Sequence, residues 1–469
     1  MKKVVFSALT SIIVTSAVNA ESMTLFSDPK TGQVFTTAGE GRVQMGDFIS
    51  AKEVDIANRE TTSFIAEYQD ADKKSIAVIN SKSPKFILGQ ETGPNMKIKA
   101  KDNKDMYLKI GTRLQSTFER REKDYATDSK DIETNDAYLR RVRLEVEAGF
   151  DKHTSFTMDI RNDNANAEDK GEATFNVGDA YLQIKKPFDT SLVNFKLYRG
   201  KIDVSRTETS KSAYTVHYDR PHVADEAAQF ITHNRRGTNA QMFGDWNKKV
   251  QYQIAAGDGV YSGSLKDAKG KALNSFTYGT SKGEVKSQDF FVGGKIKLSP
   301  FDGWEEKLVS ETYMGQGQHF TVGAAYWKTG NIVTNATGLA PIDHELINLE
   351  LSAHYGGASM SAEYFAFDGV VKDFAPTATK EVGKSNGWYA LGEYVFTDFG
   401  FVAPFIRYES WDKFEGADGY DLKSKIAGVN WYLRGNTTKV GFAVQKDTYG
   451  VALSDYSDTR FKVTSQFFF

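Results

Sequence analysis

The sequence predicts an all-β chain: a transmembrane antiparallel β-barrel of about sixteen strands with a small N-terminal extension. Three observations carry that expectation. The last segment, 458–469, alternates between an apolar face (Phe461, Val463, Ser465, Phe467, Phe469) and a mostly polar one (Lys462, Thr464, Gln466, Phe468). Alternation at period two marks a strand with different surroundings on its two sides. The same pattern recurs from Met106 onward, and no stretch after residue 20 approaches the roughly 20 consecutive apolar residues of a spanning helix. An edge strand ending in phenylalanine is an aggregation hazard in water. It suits a closed barrel with lipid outside and water within.

Composition agrees. Mean hydropathy is −0.47 and 26% of residues are charged, values that look soluble. A barrel has the same profile, because only alternate residues face lipid. Aromatic residues make up 13% of the chain, as interfacial girdles require. Cysteine is absent, which excludes disulfides, thiolate metal sites and a thiol nucleophile. The formal net charge is −2, or −4 once Lys2 and Lys3 are removed, so nucleic acid is not an expected partner.

In chain order, Lys2 and Lys3 precede a largely apolar run at 4–18, and Val18-Asn19-Ala20 supplies small residues. This reads as a secretory signal peptide, residues 1–20, cleaved after Ala20. Residues 21–105 read as a periplasmic extension or partial plug. Asp28-Pro29-Lys30-Thr31-Gly32 forms a turn there, with short elements at 45–55 and 75–80. The barrel is expected over 106–469.

In the first barrel segment Leu108, Ile110, Thr112, Leu114 and Phe118 share one face, and Lys109, Arg113, Gln115 and Glu119 the other. The second sets Val142, Leu144, Val146, Ala148 and Phe150 against Arg141, Arg143, Glu145 and Glu147. The third, 154–161, does the same. Thirteen further segments follow, at 175–185, 193–201, 236–246, 250–257, 288–298, 318–328, 344–356, 358–367, 387–396, 400–410, 420–432, 438–446 and 458–469. Tight turns are expected at 151–152, 247–248, 356–357, 398–399 and 435–436, and longer polar loops at 122–135, 162–173, 258–287 and 368–386. Short turns at one end and long loops at the other are the outer-membrane pattern. The pairs Tyr326-Trp327, Trp388-Tyr389 and Trp431-Tyr432, with 467–469, are read as girdles.

The longest connector in the first half, 203–234, either folds into the lumen or remains a solvated surface loop. Inside, its basic residues Arg206, Lys211 and Arg220, with Arg235 and Arg236 at its end, would sit where field lines focus. Lumen-facing Lys109, Arg113, Arg141, Arg143, Arg161, Lys185 and Lys196 would join them, since rings of such residues make anion pores. Glu119, Glu145, Glu147, Asp159 and Asp179 share these faces and offset them. The pattern therefore supports an ion-permeable lumen more firmly than an anion preference.

Several motifs resemble the phosphate-selective porin O and P family: Ala137-Tyr138-Leu139-Arg140-Arg141-Val142-Arg143, Val177-Gly178-Asp179-Ala180-Tyr181-Leu182, Phe195-Lys196-Leu197-Tyr198-Arg199-Gly200-Lys201, Arg235-Arg236-Gly237 with Phe243-Gly244-Asp245, and Gly428-Val429-Asn430-Trp431-Tyr432. The resemblance covers residues 106 to the end. It implies a sixteen-stranded trimeric porin in the outer membrane of a Gram-negative bacterium, with inward loops that bear a basic ladder. By position it adds Arg199 to Arg141, Arg143, Arg206, Arg220, Arg235 and Arg236. The expected function is passive diffusion of small hydrophilic solutes, with anion or phosphate preference. The expected partners are outer-membrane lipid, lipopolysaccharide, the solutes and two further copies of the chain.

Two other readings stay open: a barrel that sheathes a partner protein, and a plugged structural or adhesin barrel. No enzyme activity, cofactor or metal is expected. The seven histidines form neither His-x-x-x-His nor His-Glu-x-x-His. His319 and His354 lie on polar faces and could meet Ser352 or Glu350; a hydrolase would need a Ser–His pair with an orienting third group, and inward histidines of a polar lumen are expected to be simply hydrated.

Overall fold

The structure, a computed structural model, describes residues 23–27, 34–35, 43–48 and 96–468, the last span with gaps at 101–102, 104, 127–130, 166, 168–173, 211, 248, 301–309 and 315–317. In the N-terminal unit, Met23–Ser27, Val34–Phe35 and Val43–Phe48 form a small antiparallel sheet centred on the first strand. The leader, the turn at 28–32 and the element at 75–80 fall outside the described residues.

The second unit is a closed ring of sixteen antiparallel strands. These are β1 (Tyr107–Tyr125), β2 (Ile132–Gly149), β3 (Thr154–Ala165), β4 (Asn176–Ile184), β5 (Asn194–Arg199), β6 (Thr238–Trp246), β7 (Val250–Gly257) and β8 (Phe291–Leu298). The ring continues with β9 (Gln318–Thr334), β10 (Ile342–Tyr355), β11 (Ala358–Val371), β12 (Val382–Tyr394), β13 (Val402–Asp412), β14 (Asp421–Asn436), β15 (Thr438–Tyr449) and β16 (Tyr456–Phe468). The last strand closes on the first, from Tyr456 opposite Tyr125 to Phe468 opposite Arg113. Closure pairs every strand edge, which lipid demands because it offers the backbone no hydrogen bonds. A short strand, Met96–Lys99, pairs with β1 as well.

Side-chain alternation follows the register. On β16, Phe461, Val463 and Phe467 are exposed on the outside, while Lys462, Gln466 and Phe468 are buried inside. The aromatic pairs need a correction. Tyr326, Trp388, Trp431 and Phe467 face outward, but Trp327, Tyr389, Tyr432 and Phe468 are buried in the interior. Consecutive strand residues point to opposite faces, so only one ring of each pair can reach the interface. The short turns include Gly356-Gly357, where Gly356 takes φ 54°, a conformation that glycine adopts without a Cβ penalty.

The 203–234 connector between β5 and β6 folds into the barrel. Its first helical turn is α1 (Arg206–Thr209), where the Ser205 side chain accepts from the Glu208 N–H at 3.2 Å, half of a capping box. Its longer helix is α2 (His222–Ile231). Val223, Ala224, Ala227, Ala228, Phe230 and Ile231 of this segment are buried with Trp327, Leu346, Phe365, Phe367 and Trp411 of β9–β13. An apolar core thus lies inside the barrel, against one wall. The water-accessible cavities lie on the opposite side, along β1–β8. One connector departs from the short-turn pattern: 299–317 joins β8 to β9 at the short-turn end, and its Glu311 N–H donates to the Tyr214 carbonyl inside the barrel at 3.1 Å.

Candidate pore and constriction

The inward loop is held to the wall mainly through its own backbone. Glu363 on β11 accepts from the Arg206 and Thr207 N–H groups at 3.0 and 2.8 Å, and from the Tyr389 hydroxyl at 2.7 Å. Glu409 on β13 accepts from Val223 N–H at 2.6 Å, and Glu311 from Val216 N–H at 2.7 Å. Wall donors reach loop carbonyls in turn: Arg407 to Asp219 at 2.7 Å, Asn430 to Val216 at 3.0 Å, and Gln466 to Ala213 at 2.9 Å. Lys295 on β8 bridges Asp203 at 3.0 Å and Glu350 at 2.6 Å. A buried backbone group needs a partner, and charge-assisted bonds are the stronger kind. The wall carboxylates therefore fix the loop's position.

Two cavities remain beside the loop. The larger, about 750 Å³, lies toward the long-loop end and is lined by Arg140, Arg141, Arg143, Arg161, Arg199, Lys201, Arg220, Arg235 and Arg236, with Asp163 and Asp225 as the acidic lining among the described residues. The inner one, about 390 Å³, adds Arg113, Lys196, Lys295 and Lys297, together with Glu145, Asp159, Asp179, Asp203 and Glu208. Arg143, Lys201, Arg220 and Arg236 line both, so the two spaces meet at a basic junction.

How these cations are satisfied separates them. Arg143 pairs with Asp163 at 2.8 Å, Arg236 with Asp179 at 2.9 Å, and Arg140 with Asp219 at 3.0 Å. Glu208 is shared by Arg235 at 2.5 Å, Lys201 at 3.1 Å and Arg220 at 3.9 Å. Burial pushes the Glu208 carboxyl up, but Arg235, Lys201 and Arg220 outweigh it and hold it well below the usual carboxylate range. Burial, then Arg220, drives the Lys201 ammonium well below its ordinary value, and Glu208 offsets this only in part. The opposite balances have one cause: Glu208 serves three cations, and among the described residues Arg235 alone of the three pairs with a second carboxylate, Asp225 at 2.5 Å.

The remaining vestibule arginines bond to neutral groups or to none. Arg141 donates to Gln115 at 2.7 Å and to the Tyr218 carbonyl at 3.3 Å. Arg199 donates to the Val177 and Gly178 carbonyls at 2.6 and 3.3 Å. The Arg161 side chain makes no hydrogen bond among the described residues. Among the described residues these three have no carboxylate within ion-pair distance, so their positive charge is the least offset in the vestibule.

The expected site residues divide accordingly. Arg141, Arg143, Arg161, Arg199, Arg220, Arg235 and Arg236 meet in the vestibule. Arg113, bonded to Glu145 at 2.5 Å, and Lys196, 4.0 Å over the Tyr181 ring, line the inner cavity. Lys109 pairs with Glu147 at 3.3 Å outside both. Arg206 is buried against the Ser310 carbonyl at 2.6 Å and faces neither cavity. Lys211 lies outside the described residues.

Arg140 and Lys201 were missed, and Arg140 for a definable reason. Gln115 pairs with Arg141 but Ser116 with Leu139, so Arg140 is the extra residue of a β-bulge. Strict alternation would turn Arg140 to lipid; the bulge brings it to Asp219 on the loop. The consecutive arginines of the sequence were the available signal. His319 and His354 stack on one another with ring centroids 5.5 Å apart, and His354 stacks on Tyr313 at 3.6 Å.

The sequence model of the family described as phosphate-selective porin O and P matches residues 108–459. No curated protein sequence matches the chain. Among solved structures, an anion-selective porin from Comamonas acidovorans gives a TM-score of 0.52 at 13% identity, covering 77% of this chain and 99% of its own. Pseudomonas putida OprB gives 0.52 at 11% identity, covering 83% and 99%. OmpF of Salmonella typhi, solved with daunomycin, gives 0.50 at 15%, covering 79% and 100%. At these identities the likeness is one of fold.

Proposed function

Because the chain belongs to the phosphate-selective porin O and P family and is an outer-membrane porin of a Gram-negative bacterium, a passive channel for small hydrophilic solutes, we propose that its path selects anions at the junction lined by Arg143, Lys201, Arg220 and Arg236. One observation carries this reading: among the described residues, nine basic side chains against two acidic ones line the vestibule that leads there. An entering anion meets the field of Arg141, Arg161 and Arg199 first. It then passes cations already engaged by carboxylates, which can attract it without binding it too tightly to release. Lys196 and Arg113 carry the positive lining inward. The carboxylates Asp159, Asp179 and Glu145 moderate that lining and favour transit over trapping.

The proposal extends to assembly and processing. The functional unit is a homotrimer in contact with lipopolysaccharide, and the signal peptide is cleaved after Ala20. Residues 21–105 form a periplasmic extension or partial plug, joined to the barrel where Met96–Lys99 pairs with β1. The sheath alternative needs a wide, unobstructed lumen, and the α2 segment packed against the wall argues against it. Planar-bilayer recording tests the function directly. Purified protein is expected to give discrete conductance steps and a reversal potential that follows the anion in a salt gradient. Silent bilayers would favour a structural barrel, and a reversal potential that follows the cation would remove the selectivity assignment.

A further inference from the structure

Toward the long-loop end, the outer faces of β9–β15 leave the apolar belt and become charged. Most of these charges are paired. Lys328 meets Asp343 at 2.8 Å and Glu345 at 2.9 Å, Lys384 meets Asp368 at 3.2 Å, and Lys423 meets Asp421 at 3.5 Å. Lys425 and Lys446 differ. They stand directly opposite each other on β14 and β15. Both are exposed, and among the described residues neither has a carboxylate within 4.0 Å. Like charges opposed across a ladder destabilise it. A counter-charge would relieve this pair, and the described residues place none within 4.0 Å; the acidic group next along the ladder, Glu122 opposite Thr459, is engaged by Arg120 at 2.8 Å.

The register shows where that charge must come from. One step toward the short turns, Ala427 faces Val444; the next steps pair Val429 with Phe442 and Trp431 with Val440. Phe442, Val444, Val429 and Trp431 are exposed apolar groups of the lipid belt. Lys425 and Lys446 therefore stand at the upper rim of that belt, at headgroup depth. The flanking strands place Tyr408 opposite Lys425 and Thr459 opposite Lys446. Tyr408 lies 5.4 Å from the Trp388 ring, an interfacial pair.

Two ammonium groups, a phenol and an aliphatic hydroxyl thus face the outer leaflet within a patch four strands wide. A phosphate group matches them: it carries negative charge and several acceptor oxygens, and the lysines are point charges suited to it. We propose that Lys425, Lys446, Tyr408 and Thr459 form a binding site for the phosphate of an outer-leaflet glycolipid of the lipopolysaccharide class. The proposal rests on the outer-membrane placement and is independent of anion selection in the lumen. The patch lies on the outer wall at the edge of the apolar belt, where a lipid-borne phosphate resides and a solute in transit does not pass.

The test uses the full-length protein in nanodiscs, with thermal unfolding as the readout. The probes are phosphorylated lipid A, the same lipid dephosphorylated, and inorganic phosphate. Phosphorylated lipid A is expected to raise the wild-type midpoint by several degrees. K425Q/K446Q is expected to lose that rise, with about thirtyfold weaker retention of the lipid by native mass spectrometry, given ~1 kcal/mol per interfacial lysine. K425R/K446R is expected to keep it. An equal rise in K425Q/K446Q, or with dephosphorylated lipid, overturns the proposal, and so does an equal rise with inorganic phosphate alone. Bilayer conductance of every variant should match wild type, so loss of this site and failure of the porin reading give different results. If K425Q/K446Q does not assemble, the arginine pair decides: a lost shift there overturns the proposal.

Discussion

Replacing Arg161 and Arg199 together by glutamine isolates charge that no carboxylate pairs within 4.0 Å among the described residues: the Arg199 side chain bonds to backbone carbonyls, and the Arg161 side chain makes no hydrogen bond there. The magnitude follows from Coulomb's law. A cation about 6 Å from a passing ion contributes ~0.7 kcal/mol in a water-like medium. At 0.1 M salt, with a Debye length of about 10 Å, screening leaves roughly 0.4 kcal/mol. Each cation favours the anion and disfavours the cation by the same amount, so removing two changes the permeability ratio by about 1.5 kcal/mol, close to tenfold. The assay is the zero-current potential across a planar bilayer in a KCl gradient. The R161Q/R199Q reversal potential should move toward zero, with conductance steps still present. The shift should shrink near 1 M salt, where the Debye length is about 3 Å. An unchanged potential at 0.1 M, in a variant that still conducts, refutes the assignment of selectivity to these two charges.

Other consequences concern the loop and the seam. Glu208→Gln leaves Lys201 and Arg220 facing a neutral acceptor, while Arg235 keeps Asp225. The loss should be about 3–5 kcal/mol of loop stability, seen as faster proteolysis at 203–234 and noisier open-channel current. The pH response of the wild type has a definite sign. The Glu208 carboxyl lies below its unfolded value, so its contribution is complete above the ordinary carboxylate range and is lost only as pH falls through the depressed folded value. Loop protection should therefore persist at pH 4, and loss of protection near pH 5 would contradict the shared-carboxylate arrangement. At the closing seam, Asp458 accepts from Arg121 at 2.6 Å and Arg460 at 2.7 Å. Asp458→Asn should lower the temperature at which the purified barrel loses its heat-resistant form in detergent, and wild-type resistance would show the clamp to be dispensable.

The barrel was legible because its signal is local and repeated. Each lipid-facing strand shows its period within a few residues, as Val142, Leu144 and Val146 do on β2. The loop's inward course was one of two readings, and what decides it is non-local. Glu363 and Glu409 look like ordinary lumen carboxylates in the sequence, yet each meets backbone more than 150 residues away along the chain. The basic residues could be counted but not sorted. Whether an arginine is cancelled depends on partners such as Asp219 for Arg140, 79 positions apart. Arg206 shows the limit of counting, since its guanidinium is spent on the Ser310 carbonyl. The N-terminal extension gave no such repeat, and what is described of it is its small three-stranded sheet and the strand Met96–Lys99 against β1.

The irregularity at Arg140 also bears on how such a wall can change over time. A perfect ladder presents one inward group per two residues, so its lumenal charge density has a ceiling. An inserted residue lifts that ceiling at one height without lengthening the span or altering the neighbouring oily surface, because the register recovers by Leu139. Losing that single codon would leave Tyr138 and Val142 in step and discard one guanidinium together with its tether to Asp219. Ion preference and loop anchorage would then be retuned by one small genetic event, with lipid compatibility untouched.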